Sequence, residues 1–281
     1  MKTESIVCPF CPLACDDVFV RQGGSTIETS CRLAETRFSD AVAAVPLRLG
    51  YQTFEDGEWK TVIGGLSLPK VPIVQASALT FQESRDVQRW QADGRLSLSI
   101  RVPESHAAWD GSVGREGIQS TTLGDVRRHA DRIWMIGQWH NSTPRLLERI
   151  QPDDRSLDPI RTDRLSLGHL EHLHRLTSLA ESNDQEAIAD TDDPVFRDIQ
   201  SCRYFVVFIG ESALAEGFET AISDSLVRLI NRWNELAARD ERSFPRTVTL
   251  QLRADHSLKS VMMWRTGMVN ASPFSQPSRI D

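Results

Sequence analysis

Long apolar runs are missing from this 281-residue sequence, and no stretch approaches the ~20 apolar residues that a bilayer-spanning helix needs. An excess of basic charge is missing too, since lysine and arginine number 32 against 39 aspartates and glutamates. Nucleic acids and anionic membrane surfaces bind basic faces, so this balance argues against both as partners. The N-terminus carries no apolar signal segment, and we therefore expect a cytoplasmic protein.

The motifs that identify common enzyme classes are also missing. The sequence contains neither a G-x-G-x-x-G nor a Walker A motif, and it lacks G-x-S-x-G. Gly137 and Gly210 end apolar runs, where ligands bind in open α/β sheets, but glycine also serves ordinary turns. His169, His172 and His174 are clustered, yet no carboxylate or cysteine stands at a matching position for a metal. A solvated helix face is favoured for them, and no catalytic residue is assigned.

Tyrosine is scarce, with two residues, whereas tryptophan numbers seven. Trp59, Trp109 and Trp139 stand among polar residues. They either mark subunit contacts, where tryptophan is enriched, or pack in the core, and the sequence does not separate these two interpretations.

Cysteine is rare over most of the chain but crowded at its beginning, where Cys8, Cys11, Cys15 and Cys31 account for four of the five. Four soft thiolates suit either an iron–sulfur cluster or a structural zinc. The triplet C-x2-C-x3-C with one distant partner favours [4Fe–4S], because structural zinc sites tend to use two C-x2-C pairs. Zinc, and thiols that no longer bind any metal, stay open as alternatives. The lone Cys202 is interpreted as a buried core thiol.

The residues around these cysteines predict a small metal-binding module over residues 1–68. Short strands on either side of a turn at 22–25 would form a hairpin that carries Cys31 back towards the triplet. A helix is expected over residues 32–44. Arg32 is expected to contact the cofactor, because its charge would offset that of a thiolate-bound cluster.

From residue 69 to 281 the pattern changes to alternating strands and helices. Strand-like apolar runs occur at 71–76, 96–102, 131–137, 204–209, 247–252 and 261–264, with helical patterns at 82–92, 144–150 and 218–239. This alternation predicts an α/β domain with a mostly parallel, Rossmann-like sheet. The charged stretch near 151–193 lacks a clear strand, so a helical insertion is predicted there. A further hairpin is expected over residues 51–62.

Several stretches of the chain resemble the pterin-binding subunit of formylmethanofuran dehydrogenase, a member of the molybdopterin oxidoreductase family. They are residues 8–17, 30–33, 78–89, 121–137, 144–146 and 264–267. Together these patches run over nearly the whole chain. The resemblance implies a [4Fe–4S] cluster on four cysteines, and full members of the family also hold a tungsten- or molybdenum-bound bis-pterin.

The sequence departs from the family at the pterin site. The family has a cysteine or selenocysteine metal ligand in the segment that corresponds to residues 104–111, and this chain has no cysteine there. The family's Gly-x-Asn-Pro turn is replaced by residues 137–141, and the chain ends at Asp281, short of the full catalytic length. No molybdenum or tungsten pterin is therefore expected.

These departures make the chain similar to the shortened counterpart of that dehydrogenase subunit in the bacterial formyltransferase/hydrolase complex, which handles formyl groups on tetrahydromethanopterin and a methanofuran-like carrier. The resemblance implies a non-catalytic scaffold subunit, with the other subunits of that complex as its partners. One alternative is an iron–sulfur electron-transfer subunit of an active formylmethanofuran dehydrogenase. A second alternative is a zinc-stapled interaction domain.

Overall fold

The computed structural model describes a mixed α/β chain over residues 3–8, 11, 13, 15–21, 27–42, 47–49, 52–54, 73–76, 81–100, 104–152, 154, 156–182, 192–239 and 244–252. Its strands are β1 Thr3–Ile6, β2 Val18–Arg21, β3 Ile27–Glu28, β4 Leu47–Leu49, β5 Gln52–Phe54, β6 Ile73–Ala76, β7 Ser97–Ile100, β8 Arg132–Ile136, β9 Pro159–Thr162, β10 Tyr204–Ile209 and β11 Arg246–Leu250. Its helices are α1 Arg32–Val42, α2 Phe81–Ala92, α3 Glu104–Glu116, α4 Leu123–His129, α5 Leu146–Ile150, α6 Leu167–Glu181, α7 Pro194–Ser201 and α8 Glu219–Arg239.

The largest sheet is parallel, with strand order β11-β10-β8-β9. Val206 of the central strand β10 lies opposite Ile133 of β8 and Val248 of β11. Neighbouring residues of β8 and β10 point to opposite faces and are buried on both, as a sheet covered by helices on both sides requires. The predicted α/β class with a parallel sheet is therefore confirmed. The remaining strands form the antiparallel sheet β1-β2-β3 and the pairs β4-β5 and β6-β7.

Helix α8 supplies much of the core on one face of this sheet. Its buried residues Ile222, Leu226, Ile230 and Trp233 recur every three or four positions, which places them on one stripe of the helix. Trp109 of α3 lies in the same cluster at 2 % exposure. The opposite face has a cluster of its own, built on the other side chains of β8 and β10.

The tryptophans at positions 109 and 139 belong to these two clusters. Both are at least 95 % buried within the chain. They therefore stabilise the interior and do not mark subunit contacts. Trp59 lies outside the described residues.

Most predicted elements of the α/β region are present within a few residues of their expected bounds, but the segment 151–193 differs. It contains helix α6, as expected, and also strand β9, which pairs in parallel with β8 at the edge of the sheet. Sequence reasoning missed β9 because it has only four residues, begins with proline and carries an arginine, all of which are tolerated on an edge strand. The predicted strand at 261–264 lies outside the described residues, as does most of the hairpin at 51–62.

A close backbone crossing joins the carboxyl ends of β8 and β10, the two strands between which the strand order reverses. The backbones of Gln138 and Glu211 exchange two hydrogen bonds of 2.7 Å. Gly137 has a φ of +82°, and a Cβ atom there would lie 2.4 Å from the carbonyl oxygen of Glu211. A Cβ atom at Gly210 would lie 2.5 Å from the carbonyl oxygen of Gln138. Both glycines are needed for this crossing, which lies where open α/β sheets usually bind ligands.

None of the helices in the described part of the chain combines the length and apolar character that spanning a bilayer demands.

We predict that Gly137→Ala lowers the free energy of unfolding by more than about 3 kcal/mol, because it adds a left-handed residue and a clash with backbone atoms. Denaturant unfolding followed by circular dichroism measures this loss. Gly168→Ala is the matched control, since Gly168 lies in α6 and an added Cβ meets no atom within 4 Å. Alanine should leave that helix unchanged or stabilise it by up to about 1 kcal/mol. Equal effects of the two substitutions would contradict the crossing's role.

Candidate metal centre

The four N-terminal cysteines line one small cavity with a volume of about 10 Å³, the space of about one water molecule. Cys8, Cys15 and Cys31 are 4 %, 7 % and 8 % exposed, and Cys11 is partly exposed. The other lining residues include apolar side chains of both the cysteine segment and α1, and none of them is a carboxylate. The structure thus brings the triplet and its distant fourth partner together.

Local backbone structure explains this convergence. The backbone N–H of Cys8 donates to the carbonyl oxygen of Cys15 at 2.7 Å, which closes the loop that carries the triplet. The antiparallel pairing of β2 with β3 returns the chain towards this loop. The backbone N–H of Cys31 donates to Oγ1 of Thr29, and its carbonyl oxygen accepts from Glu35 of α1. Cys31 therefore sits at the start of a helix, with its position held from both sides.

The sulfurs share a poorly solvated space. Burial raises the pKa of the Cys11 thiol, and charges on Cys15, Cys8 and Cys31 raise it further, against a hydrogen bond with the backbone of Leu13 that lowers it. Thiolates crowded in this way repel each other in the absence of a counter-charge. A bound cation relieves that repulsion and favours the deprotonated form.

The donor set fits an iron–sulfur cluster better than a zinc ion. Among the described residues, no group of three or more histidine, cysteine, aspartate or glutamate side chains is arranged to hold a metal ion. This argues against zinc, which needs all four sulfurs at ~2.3 Å from one centre. An iron–sulfur cubane attaches each cysteine to a different iron and does not require the sulfurs to meet at one ion.

A buried arginine from the sheet domain also lines the cavity. Arg145, just before α5, has a side chain that is 10 % exposed, and its Nη1 donates to Oδ2 of Asp17 at 2.6 Å. It also pairs with Glu148. Nη2 of Arg149 lies 2.8 Å from Oδ1 of Asp17, without the geometry of a hydrogen bond. Arg32, which was expected to contact the cofactor, is exposed at the start of α1 and is not among the lining residues.

This ion-pair network keeps its charges over a wide pH range. Burial by itself raises the pKa of Asp17, but the hydrogen bond from Arg145 and the charges of Arg145 and Arg149 outweigh it and hold that pKa below its usual value. Hydrogen bonds with Glu148 and Asp17 raise the pKa of Arg145 despite its burial. The cysteine loop is thus tied to the sheet domain at neutral pH. Sequence reasoning missed Arg145 as a site residue, although its stretch was among those that carried the resemblance.

The histidine cluster has a carboxylate partner that the sequence did not reveal. Nε2 of His169 lies 3.1 Å from Oδ2 of Asp193, and Nε2 of His172 lies 3.8 Å from the same oxygen. Oδ1 of Asp193 accepts from the backbone N–H groups of Val195 and Phe196 and so caps α7. This group joins two helices by hydrogen bonds, so the expectation of a purely solvated face was wrong for His169.

Two other stretches singled out in the sequence have structural roles. Cys202 packs against the core, and burial raises the pKa of its thiol to about 12. Its Sγ donates to the carbonyl oxygen of Ile199 at 3.6 Å. Residues 104–111, where the family carries its metal ligand, form the first turns of α3.

Similarity to known proteins is found at the level of structure. No family model matches the sequence, and no curated protein matches it. A solved structure does match: a chain of the formyltransferase/hydrolase complex (FhcABCD) from Methylorubrum extorquens, in complex with methylofuran. The TM-score is 0.51 at 18 % identity, and the match covers 78 % of this chain and 64 % of that chain. This chain thus spans just under two thirds of the matched chain, and the likeness shows a shared fold.

We predict that Arg145→Gln loosens the cysteine loop and raises the alkylation rate of Cys8 and Cys15 about tenfold in metal-free protein, because Asp17 loses its hydrogen-bonded cation. Mass spectrometry of peptides after timed alkylation gives the rate at each cysteine. Arg32→Gln is the matched control and should leave the rates unchanged. Equal rates in both variants would show that Arg145 does not hold the loop.

A pH dependence follows from Asp193. Burial alone would raise its pKa, but the hydrogen bonds from His169 and Phe196 and the histidine charges outweigh burial and lower it. A lowered pKa stabilises the fold above the unfolded-state value, and this contribution disappears as the pH falls through the folded-state value. The stability difference between the native protein and Asp193→Asn should therefore be largest near neutral pH and shrink below about pH 4. Denaturant titrations across this range measure it, and a difference that does not change with pH would contradict the assignment.

Proposed function

We propose that this chain is a subunit of a formyltransferase/hydrolase-type complex in tetrahydromethanopterin-linked one-carbon metabolism, related to the pterin-binding subunit of formylmethanofuran dehydrogenase. Cys8, Cys11, Cys15 and Cys31 hold a [4Fe–4S] cluster in this proposal, and partner subunits carry out formyl transfer and hydrolysis. The observation that carries it is the convergence of four cysteines in a buried pocket, within a fold shared with a chain of such a complex.

The cluster's place in the chain follows from the lining residues. It would compensate the thiolate charges and cross-link the triplet loop to α1 through Cys31. Arg145 would present a positive charge to it from the sheet domain. A cubane is larger than the present cavity, so binding requires the loop at Cys11, the most exposed of the four cysteines, to move outward.

A scaffold role agrees with the apolar surface of the N-terminal sheet. Val7 and Phe19 are 62 % and 40 % exposed. Phe19 lies opposite Ser5, and Val7 follows Ser5 by two residues, so the two apolar side chains share one face of the sheet. A partner protein that covers this face would remove both side chains from water.

Electron transfer is the second candidate function, because a four-thiol pocket suits a redox cluster as well as a structural one. The two roles differ in one property of the assembled complex. A redox cluster must be reduced and reoxidised during turnover, whereas a structural cluster keeps one oxidation state. Electron paramagnetic resonance of the complex during turnover distinguishes them, and the scaffold role predicts no change in the signal.

We predict about four irons and four acid-labile sulfides per chain after anaerobic purification. Cys31→Ser should lose most of this iron, whereas Cys202→Ser, which removes the one cysteine outside the pocket, should keep it. Iron and sulfide assays together with metal analysis measure the outcome. Stoichiometric zinc would favour the zinc-stapled domain, and a metal-free chain would remove the metal from the proposal.

We also predict that the isolated chain releases no formate and transfers no formyl group, whereas co-expression with the transferase and hydrolase subunits yields a stable assembly. Phe19→Ser should weaken this assembly, because it removes apolar area from the exposed face. Deletion of the gene should abolish complex formation. An isolated chain that catalyses either reaction unaided would overturn the scaffold proposal.

A further inference from the structure

A second cavity lies at the end of the parallel sheet opposite to the glycine crossing. Its volume is about 970 Å³, and its lining includes the first residues of two strands, Tyr204 of β10 and Arg246 of β11, together with Asp131 directly before β8. Open α/β sheets bind their ligands at the carboxyl ends of the strands, so this cleft at the amino ends is not the usual site of such folds.

The cleft is basic on a chain that is acidic overall. Arg128, Arg203 and Arg246 line it against the single carboxylate of Asp131, a formal charge of +2 with histidine neutral, whereas the whole chain carries −7. All three arginines are exposed, and the Arg128 side chain is 70 % accessible. The three come from different elements, so the chain concentrates positive charge here by its fold and not by a basic run in the sequence.

The hydrogen bonds of the cleft leave donors available. Oδ2 of Asp131 accepts from the backbone N–H groups of Arg203 and Tyr204 at 2.9 Å, so this carboxylate is held by the backbone. Within the described part of the chain, the Arg203 guanidinium has no partner. Arg246 lies over the Tyr204 ring at 6.0 Å and uses Nε for a 3.2 Å bond to Gln119, which leaves its terminal nitrogens to bind a ligand.

We propose that this arginine cleft docks a carboxylate-rich segment of a partner protein. Guanidinium groups bind carboxylates in a bidentate manner, and arginine is enriched at protein interfaces. The cleft is too wide and too exposed to enclose a single small anion, whereas small-molecule sites bury most of their ligand. Its partly apolar lining, which includes the buried Phe244, suits the apolar atoms of a peptide. This inference goes beyond the proposed function and does not depend on the metal.

The test uses the full chain and a fluorescent peptide rich in aspartate, with a lysine-rich peptide and inorganic phosphate as comparison probes. Fluorescence anisotropy should show binding of the acidic peptide that weakens steeply with added salt. Arg203→Ala should weaken it about tenfold, and the double variant Arg203→Ala/Arg246→Ala should weaken it further. Arg164→Ala is the matched control, because Arg164 is exposed outside the cleft.

A charge reversal keeps the proposal testable if an alanine variant folds poorly. Arg203→Glu/Arg246→Glu should lose the acidic peptide and gain the lysine-rich one, which a misfolded protein would not do selectively. The proposal is overturned if the acidic peptide does not bind at low salt, or if Arg164→Ala weakens it as much as Arg203→Ala. Competition by phosphate at equal concentration would assign the cleft to small anions and also overturn it.

Discussion

Arg145 holds the cysteine loop against the sheet domain, and the position of the candidate metal centre depends on that contact. Its guanidinium is buried between two carboxylates, one from the loop and one from α5. Removing an arginine from such a pair leaves a carboxylate without its partner, which costs more than the pair contributes in net stability. The loop can therefore neither swing away from α5 nor repack on it freely. The sulfurs are presented on a rigid base as a result.

The parallel sheet presents different chemistry at its two ends. At the carboxyl ends of β8 and β10, Gly137 and Gly210 let two backbones approach closely enough to exchange hydrogen bonds. At the amino ends, the same sheet opens into a wide cleft with three arginines. Surface available for binding thus lies in the N-terminal module and at the amino edge of the sheet, away from the place where nucleotide-binding proteins of this architecture hold their ligands. A subunit that contacts several partners fits this distribution better than a single enclosed active site does.

The sequence predicted the strands and helices with strong periodicity, such as β10 and α8, because a buried strand and an amphipathic helix have patterns that tertiary context rarely overrides. It also placed Cys31 with the triplet, since a short hairpin leaves the chain few other paths. It missed β9, whose edge position tolerates charge, and it missed Arg145, which lies 128 residues from its partner Asp17. Contacts of that kind depend on the packing of distant segments, and no local pattern in the sequence encodes them. The arginine cleft was missed for the same reason, because its members come from separate elements.

Native mass spectrometry of the complex, purified anaerobically from cells that express all subunits, tests the central claim most directly. One spectrum reports both the partner proteins bound to this chain and the mass held by its thiols. The account predicts an assembly that contains this chain, and a mass increment of one four-iron, four-sulfide cluster that disappears when Cys31 is replaced by serine. A chain that is found alone, or an assembly in which this chain carries no added mass, would contradict it.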